Sequence, residues 1–194
     1  MLKCDFVGGP VNHRLLFGGG RGQDLPKAVG MKAGPSPRVT DVTAGLGRDA
    51  FLLASLGSEV TLIERSDVMH SLLQDGMEAA RRHGGIHAEI MSRMTLIHGD
   101  SIELLPSLSP EIVLIDPMHP PRKKSALVKA EFREIREIVG IDTDQLTLIE
   151  TALATVSKRV VLKWPTHANA LEGLKACSHQ IVGKSIRFDV FMCQ

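Results

Sequence analysis

Two glycines and a glutamate are spaced as a nucleoside-binding site would require. Gly45 and Gly47 form a turn between an apolar, β-branched stretch and a helix-forming one. Their missing Cβ atoms let a ligand approach the backbone closely. Glu64 follows 19 residues after Gly45, at the end of the next apolar stretch, where a carboxylate can accept hydrogen bonds from both hydroxyls of a ribose. This spacing predicts a cradle for a nucleoside-containing cofactor, whereas the plainer alternative is a strand–turn–helix unit with surface acids.

The form of the glycine turn favours one class of cofactor. Ala50 stands where the G-x-G-x-x-G pattern of dinucleotide-binding proteins has its third glycine, and Asp41 precedes the turn to give D-x-x-x-G-x-G. This form suits the adenosyl group of S-adenosylmethionine better than a dinucleotide with a pyrophosphate to hold. Free backbone N–H groups also point outward where the following helix begins. We therefore expect S-adenosylmethionine rather than NAD, held by Asp41, Gly45 and Gly47, and Arg48 and Asp49 stand at the start of that helix.

Asp100 and Ser101 directly follow a third apolar stretch at residues 94–98. At the carboxyl end of a strand, an acid or its neighbouring backbone can bind the amine of an adenine. Ser101 has an alternative role as the cap of the helix that we predict for residues 102–105, because serine is common at that position.

A second group of residues with chemical potential is the sequence D-P-M-H at residues 116–119, at the end of a fourth apolar stretch. It resembles the [D/N]-P-P-aromatic motif of amine methyltransferases, in which the acid binds an exocyclic NH₂ and the ring stacks on a flipped base. Asp116 is therefore the candidate for orienting an acceptor amine, and Pro117 stiffens the turn. For His119, base catalysis, stacking and a phosphate contact all stay open.

Basic residues lie on both sides of these motifs, in the first 38 residues and directly after the proline-rich turn. Such residues suit phosphate contacts with a structured RNA, and a solvated helix face is the alternative. We interpret residues 1–38 as a Gly/Arg-rich arm that packs near the cofactor pocket, with a flexible loop as the alternative. Residues 39–194 are then the S-adenosylmethionine-binding domain. The predicted RNA contacts are Arg14, Arg21, Arg122, Lys123 and Lys124.

The candidate residues lie at the ends of elements that alternate along the chain. Apolar stretches at 39–43, 59–64, 94–98, 111–115 and 158–163 predict strands separated by helices, and residues 181–191 predict a hairpin. This order predicts an α/β, Rossmann-like class I methyltransferase fold. Its doubly wound, mostly parallel seven-stranded sheet would finish with a C-terminal antiparallel hairpin strand. We also predict that Asp24 caps a short helix, that Trp164 and Pro165 break the fifth strand, and that residues 167–175 form a helix.

Composition excludes several other classes of protein. A net charge of +1 creates no global field for a polyanion. The three cysteines have neither disulfide nor metal-ligand spacing, and the eight histidines form no metal-binding pattern. No apolar run approaches the roughly 20 residues of a membrane helix. We expect a soluble, cytoplasmic monomer that uses neither a metal nor a membrane.

At the level of whole motifs, the chain resembles a known family. The segments FGGGRGQ (17–23), DVTAGLGRDAF (41–51), DPMHP (116–120) and KSALVK (124–129) are similar to those of the bacterial small-subunit ribosomal RNA guanine-N2 methyltransferase family, member J. The resemblance spans nearly the whole chain, and it implies S-adenosylmethionine as methyl donor and a guanine of 16S ribosomal RNA as acceptor. Family members usually have Phe where His119 stands and a further segment ahead of residues 5–7. The implied cofactor contacts are Arg48, Asp49, Glu64, Arg65, Asp100, Ser101 and Asp116.

The leading hypothesis is therefore an S-adenosylmethionine-dependent ribosomal RNA (guanine-N2) methyltransferase. One alternative keeps the cofactor but changes the acceptor to another nucleic-acid or protein amine. A second alternative is an RNA-binding or assembly factor with a vestigial cofactor pocket. Loss of methyl transfer without loss of RNA binding, on removal of Asp116, distinguishes the enzyme from the binding factor.

Overall fold

The computed structural model describes residues 2–8, 11–12, 19–31, 34–117 and 144–193. Within these residues, the centre is a seven-stranded sheet in the order β3-β2-β1-β4-β5-β7-β6. Strands β1 to β5 pair in parallel, whereas β7 is antiparallel to both β5 and β6. The predicted sheet with its antiparallel hairpin is confirmed. The strands are β1 (Val39–Asp41), β2 (Val60–Glu64), β3 (Met94–His98), β4 (Ile112–Ile115), β5 (Arg159–Pro165), β6 (His179–Val182) and β7 (Ile186–Met192).

Helices connect the parallel strands, and their ends follow local sequence signals. The hydroxyl oxygen of Ser66 caps the longest described helix by accepting a hydrogen bond from the Met69 N–H, and Gly84 ends that helix at a φ of +81°. None of the helices in the described parts of the chain combines the length and apolar character needed to cross a membrane. The described helices are α1 (Asp24–Ala28), α2 (Arg48–Ser55), α3 (Asp67–His83), α4 (Gly85–Met91), α5 (Ser101–Leu108) and α6 (Gln145–Thr155).

The central strands are buried on both faces of the sheet. Leu62 packs in a core cluster that also contains Leu73 of α3, whereas its neighbour Ile63 belongs to a second cluster with Ile149 of α6. Successive strand residues therefore face opposite helix layers, as the two-residue period of a strand requires. Burial on both sides explains why these strands are continuous apolar runs rather than alternating ones.

The order of the strands places β1 beside β4, with β2 on the other side of β1. Asp41 lies opposite Leu62 of β2 and Leu114 of β4 in the two ladders. From β1 the chain proceeds toward one end of the sheet through β2 and β3, and from β4 it proceeds toward the other end through β5. The connections after β1 and β4 therefore leave in opposite directions. The gap between them at the carboxyl ends of the strands is where ligands bind in sheets of this kind.

Two predictions at the end of β5 are wrong. The strand continues through Trp164 and Pro165, which pair with Arg187 and Ile186 of β7. The proline is tolerated because the ladder with β4 has already ended opposite Leu162, so no bond on that side is lost. Residues 167–175 form turns and bends rather than a helix.

A third prediction is displaced by one residue. Asp24 is the first residue of α1 and not its cap, which is Gln23, and no side chain caps this end. An acid in the first turn still interacts favourably with the helix dipole. Its carboxylate also lies 3.4 Å from the Lys27 Nζ, one turn further along.

Candidate active site

A cleft of about 340 Å³ opens at the carboxyl edge of the sheet, where β1 and β4 lie side by side. Small-molecule sites commonly have volumes of roughly 300–1,000 Å³. Four separate stretches of the sequence meet here, which confirms that the strand ends converge as predicted. The predicted residues that line the cleft are Asp41, Gly45, Arg48, Asp49, Glu64, Arg65, Asp100, Ser101, Asp116 and Pro117.

The two glycines of the turn have different roles. Gly45 lines the cleft at a φ of +53°, and a Cβ atom built on it would meet only the Thr43 carbonyl oxygen, at 3.8 Å. Gly47 has a φ of +66°, but its added Cβ would lie 2.8 Å from Leu73 Cδ1 and 3.1 Å from Phe6 Cζ. Gly47 therefore faces the core and is absent from the lining of the cleft. The turn thus directs the open side of Gly45 toward the cleft, and a cofactor contact of Gly47 stays a prediction.

Glu64 is held in place by backbone N–H groups. Its Oε2 accepts a hydrogen bond from the Gly45 N–H at 3.0 Å, and its Oε1 accepts one from the Ser66 N–H at 2.8 Å. Burial raises the pKa of the Glu64 carboxyl, and these two hydrogen bonds partly offset the rise because they favour the charged form. A carboxylate has about four lone-pair sites, so the Glu64 carboxylate keeps acceptor capacity for the hydroxyls of a ribose.

The end of β3 presents Asp100 as a helix cap. Its Oδ1 accepts a hydrogen bond from the Ile102 N–H at 2.8 Å at the start of α5. Ser101 is not the cap, since its hydroxyl donates to the buried Val42 carbonyl at 2.7 Å and so ties α5 to the end of β1. Helix capping, which we considered as an alternative role for Ser101, is the role of Asp100.

Arg65 joins the two sides of the cleft entrance. Its guanidinium donates to Asp144 Oδ2 at 2.6 Å, and the same nitrogen lies 3.8 Å from Asp100 Oδ2. The hydrogen bond from Arg65 lowers the pKa of the Asp144 carboxyl. Asp144 directly precedes α6, so Arg65 connects the end of β2 to the start of that helix.

Asp116 is anchored between β1 and β5. Its backbone N–H donates to Thr43 Oγ1 at 2.7 Å, and its Oδ2 accepts from Lys163 Nζ at 2.7 Å. The same ammonium donates to Asp49 Oδ2, also at 2.7 Å. Desolvation in the cleft raises the pKa of the Asp116 carboxyl, the Lys163 charge lowers it and the Asp49 charge raises it again. The net direction is upward, because burial outweighs the single cation.

Lys163 is a functional candidate that the sequence analysis missed. Burial lowers the pKa of its ammonium, but the charges of Asp49 and Asp116 outweigh burial, and the net pKa is raised. The Lys163 ammonium therefore keeps its positive charge at neutral pH. The only signal in the sequence was a lysine directly after the apolar core of a buried strand, which by itself predicts a strand end and no partner.

Asp41 adds a third carboxyl group to this cluster. It is 4% exposed, and its Oδ1 accepts a hydrogen bond from the Thr43 N–H at 3.2 Å. Burial, together with the nearby Asp49 charge, raises the pKa of Asp41 to about 7. The carboxyl groups near Lys163 therefore gain a negative charge when Asp41 loses its proton as the pH rises through neutrality.

The remaining predicted residues fall into two groups. Arg21 donates to Gly34 O at 3.2 Å, to Ser36 Oγ at 2.9 Å and to Leu56 O at 3.5 Å. Because α2 begins at the cleft and runs back to the amino edge of the sheet, Leu56 lies at the edge opposite the cleft. Arg21 therefore lies at the amino edge and not beside the cleft, and its predicted RNA contact stays a prediction. Arg14, His119, Arg122, Lys123 and Lys124 lie outside the residues that the structure describes.

The residues present fit S-adenosylmethionine. The open space above Gly45 admits the ligand to the backbone, and the fixed Glu64 carboxylate offers acceptors for a ribose. Acids at the ends of β1 and β4 suit the positively charged sulfonium end of such a molecule. Among the described residues, no group of three or more His, Cys, Asp or Glu side chains is arranged to hold a metal ion.

Comparisons with known proteins agree with this site. The profile of a family described as SAM-dependent methyltransferase matches residues 1–193. The chain is 62% identical over 188 residues to the ribosomal RNA small subunit methyltransferase J of Agrobacterium fabrum, an alignment that covers 97% of this chain and 90% of the relative. It is 52% identical over 193 residues to the protein of the same name from Shewanella amazonensis, covering 98% and 77%. A solved SAM-dependent methyltransferase from Neisseria gonorrhoeae is 35% identical with a TM-score of 0.77, covering 98% of this chain and 74% of that one.

Proposed function

The chain belongs to the S-adenosylmethionine-dependent methyltransferase family, and we propose that its acceptor is the N2 amine of a guanine in small-subunit ribosomal RNA. S-adenosylmethionine is the methyl donor. The observation that carries the choice of acceptor is the 62% identity, over nearly the whole chain, to a protein named for methylation of this RNA. We further propose that the enzyme acts in the bacterial cytoplasm as a monomer on 16S ribosomal RNA or on the small subunit.

The cofactor residues divide according to the chemistry of the molecule they hold. Glu64 accepts from the ribose hydroxyls, and Gly45 leaves room for them beside the backbone. Asp100 and Ser101 belong to the adenine side of the cleft. The second carboxylate oxygen of Asp100 is not used in capping. Asp41, Arg48 and Asp49 face the amino-acid and sulfonium part. When bound, the cofactor supplies an electrophilic methyl group.

Asp116 orients the acceptor. Its carboxylate is held by Lys163 and its backbone by Thr43, so its free acceptor sites have a defined direction. Hydrogen bonds from the guanine amine to these sites place the nitrogen lone pair toward the methyl donor. The amine loses a proton during the reaction, and the carboxylate can hold that proton. Pro117 stiffens the turn that carries Asp116.

The neighbouring residues 118–143 complete the acceptor side in this proposal. Arg122, Lys123 and Lys124 meet phosphates of the RNA, and Arg14 adds a further phosphate contact. His119 stands where the aromatic ring of related motifs stacks, and stacking on the guanine is its proposed role. These assignments follow from the sequence pattern.

We also propose that residues 1–38 act as an arm beside the methyltransferase domain of residues 39–194. The first described residues support this organisation. Cys4 Sγ donates to Leu46 O at 3.3 Å, and the Phe6 ring stacks on Phe51 with centroids 5.1 Å apart. Both contacts lie directly behind the glycine turn, so the arm supports the wall of the cleft from the core side.

Methyl transfer in vitro tests the proposal. The purified protein, labelled S-adenosylmethionine and 16S ribosomal RNA should yield N2-methylguanosine on nucleoside mass analysis. Asp116→Ala should remove most transfer, roughly 100-fold or more, while RNA affinity stays close to that of the wild type. Asp75→Ala, an exposed acid on α3, is the matched control. Transfer to another atom, or full activity of Asp116→Ala, would contradict the proposal.

A further inference from the structure

Residues 165–169, which we call the β5 loop, have a backbone held by a buried guanidinium. Arg187 Nη1 donates to the carbonyl oxygens of Pro165, Thr166 and Ala168 at 2.9, 3.1 and 2.8 Å. This nitrogen has two hydrogens, so one of them is shared between two of the three carbonyl groups, which lie within four residues of chain. Such contacts with a charged donor are stronger than those of a neutral one, so the loop has little freedom to change its shape.

A second buried side chain fixes the far end of the β5 loop. Trp164 Nε1 donates to the Asn169 carbonyl at 2.8 Å. The loop is also tied to the hairpin, because the Thr166 N–H donates to Ser185 O at 3.2 Å and its hydroxyl donates to Gly183 O at 3.2 Å. The loop is therefore pre-formed by the strands below it.

The position of Arg187 is itself determined by the sheet. Its Nε donates to both carboxylate oxygens of Asp189, at 3.0 and 3.2 Å, and Gln180 Nε2 donates to Asp189 Oδ1 at 2.7 Å. Arg187 and Asp189 are both buried. The β5–β7 register sets Arg187 opposite Trp164, directly beneath the loop.

The chain makes a turn here in place of the predicted helix. The Ala168 N–H donates to the Pro165 carbonyl oxygen at 3.1 Å, so this oxygen accepts from the backbone as well as from Arg187. A carbonyl oxygen has two lone pairs and can accept both bonds. The turn is therefore held by a backbone bond and by a side chain from another strand.

The β5 loop lies on the acceptor side of the cleft. The cofactor residues Gly45, Glu64 and Asp100 follow β1, β2 and β3, which leaves the ends of β4 and β5 for the acceptor. Ile115 pairs with Leu162, so Asp116 and Lys163 are level with each other in the sheet. The loop begins two residues after Lys163, at the carboxyl edge of the sheet and on the β5 side of Asp116.

We propose that the β5 loop is a pre-formed contact surface for the acceptor RNA, in which His167 and Asn169 touch nucleotides and Arg187 is a positioning residue. Both loop side chains are exposed. An imidazole can stack on a base, and an amide offers a donor and an acceptor to a base edge. The inference rests on the proposed function, since it needs RNA as the substrate.

Steady-state kinetics of two loop variants test the surface. His167→Ala and Asn169→Ala should each raise KM for small-subunit RNA about 3- to 10-fold, with kcat within twofold of the wild type. The KM for S-adenosylmethionine should not change. His179→Ala, at an exposed histidine on the outer strand β6, is the matched control. A KM for RNA that stays at the wild-type value in both loop variants would overturn the inference while leaving the proposed function intact.

Arg187→Lys tests the positioning role, because lysine keeps the charge beside Asp189 but cannot reproduce the planar fork. In Arg187→Lys the KM for RNA should rise at least as much as in His167→Ala. The double variant that carries both Arg187→Lys and His167→Ala should show no further rise. An additive effect, or a change confined to thermal stability, would show that Arg187 is only structural. If the wild type transfers no methyl group to RNA, the proposed function fails and this inference fails with it.

Discussion

At the scale of single residues, the site depends on carboxylates whose positions are fixed by other groups. Glu64 is held by two backbone N–H groups, and Asp116 is held by an ammonium and a threonine hydroxyl. Each carboxylate keeps acceptor sites free toward the cleft. Their directions are therefore set before any ligand arrives, which reduces the cost of ordering them on binding.

Glu64→Ala should weaken S-adenosylmethionine binding by about 1.5–3 kcal/mol, the range for hydrogen bonds to a charged group. Titration calorimetry on the purified protein measures this change. Glu59→Ala is the control, because Glu59 lies at the other end of the same strand and is exposed. Unchanged affinity of Glu64→Ala, or tighter binding of NAD than of S-adenosylmethionine, would contradict the assignment of the cofactor site.

Lys163→Met should shift the pH dependence of kcat. The Lys163 charge lowers the pKa of Asp116, so its removal raises that pKa and leaves Asp116 protonated at a higher pH. The acid limb of the kcat profile should move toward higher pH, and kcat near neutrality should fall roughly 10- to 100-fold because the carboxylate also loses its anchor.

Profiles measured between about pH 5 and pH 9 would show this shift, with circular dichroism to confirm folding. Lys158→Met is the control, since Lys158 lies just before β5 at the opposite edge of the sheet and pairs with Glu111. An unchanged acid limb in Lys163→Met would mean that the titration of Asp116 does not limit the reaction.

At the scale of elements, function is concentrated where strands end. The turn between β1 and α2 combines two glycines at positive φ, one open to the cleft and one pressed against the core. Phe6 from the N-terminal arm completes the packing behind the second glycine. The turn therefore couples the shape of the cleft to the packing of α3 and the arm.

The two glycines should respond differently to the same substitution. Gly47→Ala combines an unfavourable φ with a clash against Leu73 and should lower the free energy of unfolding by about 2–4 kcal/mol. Gly45→Ala should cost only about 1–2 kcal/mol of stability, but its methyl group should weaken S-adenosylmethionine binding by roughly tenfold. Urea unfolding and calorimetry on both variants give the comparison. Equal losses of stability would contradict the inward orientation of Gly47.

At the scale of the whole molecule, the two edges of the sheet have separate tasks. The carboxyl edge carries the cleft, the aspartates around Lys163 and the β5 loop. The amino edge carries ion pairs such as those of Glu111 with Arg38 and Lys158. With a net charge of only +1, attraction of RNA must come from local clusters on the edge where the acceptor enters.

Arg122, Lys123 and Lys124 are the predicted local cluster, and salt dependence tests them. If each meets a phosphate, changing all three to Ala should lower the slope of log Kd against log salt by about 2–3. The effect should be similar for any RNA sequence, and S-adenosylmethionine affinity should stay constant. Filter binding to a 16S fragment at several salt concentrations measures both slopes.

The matched control for that experiment changes Arg81, Arg82 and Lys158 to Ala. Arg81 and Arg82 end α3, and Lys158 precedes β5, so all three are exposed at the amino edge. The control variant should keep the wild-type slope. Equal slopes for the wild type and both variants would mean that the cluster after Asp116 is only a solvated face.

The sequence by itself determined the elements and the residues at their ends. Apolar, β-branched runs form strands because both faces are buried, and acids or glycines directly after those runs must lie at the carboxyl edge. Glu64, Asp100 and Asp116 were therefore predictable as neighbours in one cleft. The spacing from Gly45 to Glu64 reflects one helix and one strand, which are local quantities.

Only the tertiary structure decided which distant groups meet. The contacts of Lys163 with Asp49 and Asp116 span 114 and 47 residues, and no local pattern specifies them. The same holds for the inward face of Gly47, the position of Arg21 at the amino edge, and the three carbonyls taken by Arg187. Local propensity is a weak preference, and buried polar groups find their partners only where the fold brings distant segments together.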